Sequence, residues 1–343
     1  MVSGSEKHRM VTLGALPDSW RGGVVAIGNF DGMHRGHQAV LTAARAEAEH
    51  LGCPCIMLTF EPHPRVFFSG RPLFRLTPAP LKAALASALG LDGMLVLDFD
   101  RALAEKSAED FVRETLIGKL GIRAAVTGFD FHFGKARRGT PQFLADQGVL
   151  NGFSVTIVEA LREDGEAVSA TRIRAALAEG DVDAAAKLLG WHFAVAGEVV
   201  HGDARGRELG YPTANMVLDP ASELKHGIYA VRLLTKDGTL RDGVASYGRR
   251  PTFGGGEPVL ETFVFDFSGD LYGEGVLVAF YGFIRPELKF DSVEALVARM
   301  DQDSIDARAI LERTPPGELD RRLREVWSQS GRIAYAHDAR DAR

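Results

Sequence analysis

The chain has 343 residues, more than twice the roughly 150 of a typical domain, so two separate cores are expected. Its 45% hydrophobic and 25% charged residues argue against a disordered or fibrous protein. Net charge is −6: residues 1–190 hold 21 basic and 22 acidic residues, and 191–343 hold the remaining 19 and 24. Neither part has the basic excess that phosphate-backbone binding needs, which argues against a nucleic-acid partner.

Other bulk features narrow the class. No apolar run reaches the ~18 residues of a membrane span, and the first nine residues lack the apolar core of a secretion signal. The two cysteines, Cys53 and Cys55, flank Pro54, a poor geometry for a disulfide and too few ligands for zinc. They read as buried thiols of a cytoplasmic protein.

In chain order, the first elements alternate. Val24–Ile27 is a short apolar strand, followed by a helix with Val40, Leu41, Ala44, Ala48 and Leu51 on one stripe. Ile56–Phe60 is a second strand, then a proline-rich loop and a helix carrying Leu81, Leu85 and Leu89. Met94–Leu97, a helix with Phe111, Leu116 and Leu120, Ala124–Thr127 and Val155–Val158 bring the strands to five. A last helix runs from Thr171 to Leu189. Strands separated by helices predict parallel crossovers, hence an open α/β sheet covered on both faces. Ligands bind such sheets beyond the carboxyl ends of their strands.

After Gly190 the period changes. Phe193–Val200, Ile228–Leu234 and Glu261–Phe267 alternate, and turns at Lys236-Asp237-Gly238 and Ser268-Gly269-Asp270 predict consecutive antiparallel hairpins. One helix follows, with Val293, Leu296, Val297 and Met300 apolar. The simplest architecture is a small antiparallel β-barrel with a C-terminal helix. The predicted domains are residues 1–186 and 194–314, with a linker at 187–193 and a polar extension, 315–343, to which no chemistry is assigned.

Two constellations carry chemistry. Gly28, Asn29, Phe30, Asp31 and Gly32 form a glycine-rich turn between strand and helix, and His34 and His37 share one face at the helix start, with Gly36 between them. Free N–H groups and partial positive charge at a helix N-terminus suit nucleotide phosphates, to which imidazoles can donate. Far downstream, Ser169 or Thr171 can cap the last helix, Ile173 and Leu177 face inward, and Arg172 is placed to clamp a phosphate. In the second half, Gly202, Arg205, Gly206, Arg207 and Gly210 make a cationic, glycine-rich loop suited to fold over phosphates. It leads through Pro212 to Thr213 and Asn215, hard oxygen donors on one side of an extended chain that fit a Mg²⁺ held between protein and ATP. Glu261 shares parity with Phe263, Phe265 and Phe267, which predicts a carboxylate on an apolar barrel interior, at its mouth. Partial desolvation would raise its proton affinity, useful in a base that accepts a hydroxyl proton.

The turn with its two histidines and the distal Ser-x-Thr-x-Ile-Arg resemble the nucleotidyltransferase superfamily. Class I aminoacyl-tRNA synthetases share that turn, but a lysine-rich second signature and a basic tRNA surface are missing here. The second half resembles riboflavin kinases, most specifically in the Arg-Gly-Arg…Pro-Thr-Ala-Asn stretch. From about Val24 to Leu311 the whole resembles the bifunctional bacterial riboflavin kinase/FAD synthetase family. The supporting segments are 59–64, 128–134, 227–231, 250–253 and 283–287.

The resemblance implies an FMN adenylyltransferase domain (Rossmann-like) followed by a riboflavin kinase domain, with ATP as co-substrate, Mg²⁺ as cofactor, and riboflavin, FMN and FAD as substrates and products. It implies that His34, His37, Ser169 and Arg172 handle phosphates, with Asp130 and Phe131 near nucleotide or flavin, and Pro62 and Pro64 near FMN. Thr213 and Asn215 would bind Mg-ATP, Glu261 would be the base on the ribityl 5′-hydroxyl, and Arg285 would lie near the flavin. Three positions depart from the family pattern: Ala170 replaces a serine, Ser246-Tyr247 stand where an Asn is usual, and His132 replaces an Arg. They are expected to slow adenylylation at most. Two readings compete with the bifunctional one: a kinase whose adenylylating half has decayed, and a non-catalytic flavin or nucleotide sensor. A weak homo-oligomer is compatible with either half.

Overall fold

The computed structural model describes residues 9–202, 206, 209–249 and 257–330. By internal contacts it forms two units: residues 1–73 with 77–169, and residues 74–76 with 170–343. The domain limits read from the sequence put the linker at 187–193 instead. Leu177 accepts a backbone hydrogen bond from Lys225, which ties the helices before that linker to the strands after it.

The first unit is built on a six-stranded, all-parallel sheet. Its strands are β1 (Arg9–Thr12), β2 (Val24–Ile27), β3 (Cys55–Glu61), β4 (Gly93–Asp98), β5 (Ala124–Gly128) and β6 (Ser154–Val158), in the order β1-β4-β3-β2-β5-β6. The five predicted strands are present; β1 was not expected, being four residues with no helical run before it. Every residue of β2 is buried, as a central parallel strand covered by helices requires. The core gathers Val25, Ile27, Ile56, Leu58, Leu95, Phe111, Leu116 and Ala125. Helices α1 (Arg35–Leu51), α2 (Pro64–Ser69), α3 (Ala79–Ala88), α4 (Phe111–Lys119, π-type) and α5 (Pro141–Asn151) connect the strands. Gly52, at φ 61°, ends α1, and its N–H bonds back to the last turn. Strand order reverses between β2 and β5, so the carboxyl end of β2 lies at the switch point where such sheets bind ligands.

Between the large sheets comes a two-residue-per-strand hairpin, β7 (Arg162–Glu163) with β8 (Glu166–Ala167). The single predicted helix over 171–189 is two helices, α6 (Ala170–Glu179) and α7 (Val182–Leu189). Gly180 takes φ +78°, and the Asp181 carboxylate accepts from Ala184 N–H, so one helix stops and the next is capped at once.

The second unit holds a six-stranded antiparallel sheet: β9 (Ala194–Glu198), β10 (Thr213–Val217), β11 (Gly227–Leu234), β12 (Leu240–Arg249), β13 (Pro258–Val264) and β14 (Gly275–Arg285). Its order is β10-β13-β12-β11-β14-β9, and a bridge between Val200 and Asn215 nearly closes it into a barrel. The turn at 236–238 is a hairpin as predicted. The turn at 268–270 is not: β14 crosses to the far side of β11, which makes a Greek key. A turn signal tells where a strand ends but not which neighbour the next one pairs with. Helix α8 (Val293–Arg313) packs Ala307, Ile310 and Leu311 on Ala230, Val244, Phe263 and Tyr281. The polar extension contains a further helix, α9 (Glu318–Ser330), whose Leu319, Leu323, Val326 and Trp327 are buried.

Candidate active sites

The first site lies at the carboxyl end of β2. Gly28 N–H donates to Leu58 O at 3.1 Å, and Phe30 takes φ +50° with its ring buried. Asp31, 4% exposed, accepts from Thr77 N–H at 3.1 Å, while Gly32 N–H donates to Thr77 Oγ1 at 2.8 Å. Thr77 therefore locks the turn from the α3 side, a role the sequence did not signal.

His34 is the N-cap of α1, and its Nδ1 accepts from His37 N–H at 3.3 Å. An imidazole nitrogen that accepts cannot carry the proton, so the neutral ring holds it on Nε2, which is left as a donor. The two rings stack with centroids 3.6 Å apart, and Phe30 meets His37 edge-on at 5.3 Å. The predicted shared face is thus realised. A Cβ on Gly36 would sit 3.2 Å from the His34 ring, so the glycine admits the stack. Burial lowers the His34 pKa to about 4, against a smaller opposing pull from Asp31. His37 is held well below its ordinary value by burial first, then by His34 and Lys82. Both rings are therefore neutral in the free protein near pH 7.

Lys82 of α3 was missed, though its signal was in the sequence: a single charged residue inside an apolar helix. Its ammonium donates to Asn29 O at 3.0 Å and lies 3.6 Å from Glu61 Oε1. Arg35, between the two histidines, pairs with Glu163 at 2.6 Å. Pro62 follows Glu61 through a cis peptide bond, and Pro64 opens α2. Asp130 is exposed, while Phe131 stacks on Phe133 at 5.5 Å and packs against the core. Ser169 directly precedes α6, in whose first turn lie Thr171 and Arg172, with Ile173 and Leu177 buried as expected. That first turn groups with the second unit.

The second site lies on β10, β13 and the loops around them. Asn215 stands directly opposite Glu261, and Thr213 opposite Phe263, so antiparallel register puts all four on one face. That face is not the barrel interior, as expected for Glu261. Phe263 opposes Val244, whose side chain packs under α8, whereas the adjacent Leu260 and Thr262 are the residues buried inside, 0% and 1% exposed. Parity fixed which residues share a face. Only the helix decides that the outer face is apolar too.

Thr213 and Asn215, with Pro212, Phe267 and Tyr272, line a cavity of about 450 Å³. Asn215 is 6% exposed, and a Cβ on Gly202 would collide with its amide, so the glycine forms one wall of the donor pair. Among the described residues no cluster of three His, Cys, Asp or Glu could bind a metal by itself. A hydroxyl and an amide oxygen on a shared face instead fit Mg²⁺, which takes few protein ligands and completes its shell with water and phosphate, and the Glu261 carboxylate stands beside them.

In the loop, Tyr211 N–H donates to Gly206 O at 2.7 Å, and Gly210 takes φ +84°. The Tyr211 hydroxyl bonds Asp301 of α8; burial, then that contact, pushes its pKa up to about 12. Tyr211 is a further residue that sequence reasoning did not single out. Arg205, Arg207 and the 250–253 segment lie outside the described residues. Arg285, expected near flavin, gives its guanidinium to Asp303 in a two-pronged pair, at 2.6 Å for Nη2, and to Pro286 O at 2.9 Å.

A parallel sheet with a histidine-bearing helix start at its switch point, followed by a Greek-key barrel with a glycine-walled oxygen site, defines a two-module ATP-dependent transferase. Comparison with known proteins sharpens this. The FAD synthetase family model matches residues 16–172, and the riboflavin kinase family model matches residues 189–311. The bifunctional riboflavin kinase/FMN adenylyltransferase of Pseudomonas fluorescens is 42% identical over 84% of this chain and 93% of its own length. The Escherichia coli K12 protein of the same description is 37% identical over 86% and 95%. A solved structure described as a macrolide-efflux protein from Streptococcus pneumoniae superposes with a TM-score of 0.77 at 32% identity, covering 87% of this chain and 98% of that one. No helix among the described residues is long and apolar enough to cross a membrane. The chain belongs to the bifunctional riboflavin kinase/FMN adenylyltransferase family.

Proposed function

We propose that the chain carries out two successive steps of flavin cofactor synthesis: ATP phosphorylates riboflavin to FMN in the second unit, and FMN is adenylylated by a second ATP in the first. The observation that carries the kinase assignment is the opposition of Asn215 and Glu261 across β10 and β13, beside the cavity that Thr213 lines. Glu261 takes the proton of the ribityl 5′-hydroxyl as its oxygen bonds to the γ-phosphorus of ATP and ADP leaves. Thr213 and Asn215 are the residues that would hold Mg²⁺, which supplies charge neutralisation between the phosphates. Gly202, Gly206, Gly210 and Pro212 shape the loop over them, with Arg205 and Arg207 as its cations.

In the adenylylation step a phosphate oxygen of FMN attacks the α-phosphorus of ATP and pyrophosphate departs. No covalent enzyme intermediate is needed, so the protein's work is positioning and charge stabilisation. The His34 Nε2–H, fixed by the cap bond, donates to a phosphoryl oxygen, and His37 acts beside it. Gly28, Asn29, Phe30, Asp31 and Gly36 form the nucleotide turn. Ser169, Thr171 and Arg172 contact phosphate, Asp130 the nucleotide, and Pro62, Pro64 and Phe131 the flavin. Arg285 bears on the second flavin site through its pair with Asp303. Functional limits of 1–186 and 194–314 accompany this reading, as does a cytoplasmic setting, which a chain whose two cysteines are both free thiols fits.

The test incubates full-length protein with riboflavin and Mg-ATP and resolves flavins over time. FMN followed by FAD is expected. Glu261→Gln should lower FMN formation about 10²- to 10⁴-fold, the usual contribution of a general base, while FMN-to-FAD conversion persists. His37→Ala should do the reverse. Loss of both steps from either change in a folded protein would refute separate sites for the two steps.

A further inference from the structure

Lys82 is the sole charged residue of α3, and it is 3% exposed. Burying an ammonium costs several kcal/mol, a cost that methionine or leucine at this position would avoid. The charge is instead spent on a particular set of contacts. Its Nζ donates to Asn29 O at 3.0 Å and to Thr59 Oγ1 at 3.4 Å, and stands 3.6 Å from Glu61 Oε1. Thr59 Oγ1 donates to the same Asn29 carbonyl, at 3.0 Å. Helix α3, strand β3 and the turn after β2 therefore meet at one backbone oxygen of the nucleotide turn. Glu61 is the last residue of β3 and directly precedes Pro62 of the proline loop.

Two neighbouring atoms show what this junction holds ready. Asn29 Oδ1 and His37 Nδ1 are buried and have no partner within the protein. Buried polar atoms are rarely left so unless something else completes them. The ammonium also opposes protonation of His37, whose other charged or titratable neighbours are His34 on α1 and, around His34, Asp31 of the turn.

We infer that Lys82 is a positioning residue of the adenylylation site: its ammonium pins the Asn29 carbonyl of the nucleotide turn to the Glu61 end of β3, holding the ATP turn and the proline loop in one register. The inference rests on the proposed role of His34 and His37. Lys82 itself touches neither substrate; it acts through Asn29 and Glu61. Loss of that tether displaces the turn without emptying it, and small misplacements of reacting groups cost up to about 100-fold in rate.

The test measures both activities of the full chain in Lys82→Met, Lys82→Arg and Glu61→Gln, alongside thermal unfolding and the imidazole NMR titration of His37. For Lys82→Met the expected result is a 10- to 100-fold fall in kcat for FAD formation, in the range such misplacement produces, with riboflavin phosphorylation unchanged. The His37 titration should move to higher pH in Lys82→Met and less in Lys82→Arg, which keeps the cation, whereas loosened packing would raise it in both by relieving burial. Lys82→Arg should recover part of the rate, because it keeps the cation. Glu61→Gln should raise the KM for FMN more than that for ATP, and it carries the test if Lys82→Met does not fold. Full FAD formation in Lys82→Met would overturn the inference, as would equal loss in the Met and Arg variants. If His37→Ala left FAD formation intact, the site assignment would fall. If His37→Ala abolished it while Lys82→Met did not, only the tether would.

Discussion

Acid should loosen the first unit through His34. The ring is 7% exposed, and burial lowers its pKa from 6.5 to about 4. Between those values the unfolded chain takes up a proton that the folded protein refuses, so stability is complete above about pH 6.5 and declines as pH falls to about 4. The pKa difference of about 2.5, at about 1.4 kcal/mol for each pH unit, corresponds to about 3 kcal/mol. His34→Asn isolates this contribution, since asparagine caps α1 with a comparable acceptor and does not titrate. The two units need not unfold together, so the readout is hydrogen exchange of β2 and the first turn of α1 rather than one global transition. The stability difference between wild type and His34→Asn should shift by about 3 kcal/mol towards the variant as pH falls from above 6.5 to about 4. A difference that stays constant across that range would refute the reasoning. Bound ATP should suppress the acid effect, because phosphate favours the protonated ring.

Gly202→Ala should impair phosphorylation selectively, because the added Cβ collides with the Asn215 amide; comparing FMN and FAD formation in one preparation checks it. Asp320 of α9 accepts from His192 Nδ1 at 2.6 Å and from His192 N–H at 2.9 Å. Burial raises its pKa, but these bonds outweigh burial and hold the carboxyl below its ordinary value. Its stabilisation is therefore present above the unfolded value of 3.8 and lost as pH falls through the lower folded one. Asp320→Asn should make residues 318–330 more open to proteolysis at neutral pH. Arg232, 7% exposed, donates to Leu311 O and Thr314 O at the end of α8 and to Asp242. Arg232→Met should destabilise the second unit by about 1–3 kcal/mol, the cost of leaving buried carbonyls unsatisfied, read by thermal unfolding of that unit.

The sequence by itself determined the two-module order, the central strands and the chemistry-bearing residues, because these depend on local period and residue type. Val24–Ile27 had to be buried on both faces, and His34 and His37, three apart at a helix start, had to share one. The same parity put Glu261 with Phe263. What tertiary structure alone decided is where such a face ends up. Helix α8 makes the outer surface of β13 apolar, which moved Glu261 from the predicted interior to the outside. The break at Gly180, the Greek-key crossing of β14 and the burial of Trp327 likewise follow from pairing and packing between distant segments. Lys82 is the same lesson at one residue: its charge was visible in the chain, but Asn29 and Glu61, 53 and 21 positions away, give it meaning only once α3 packs beside β3 and the turn. Local spacing specifies which side chains travel together; long-range packing specifies what they meet.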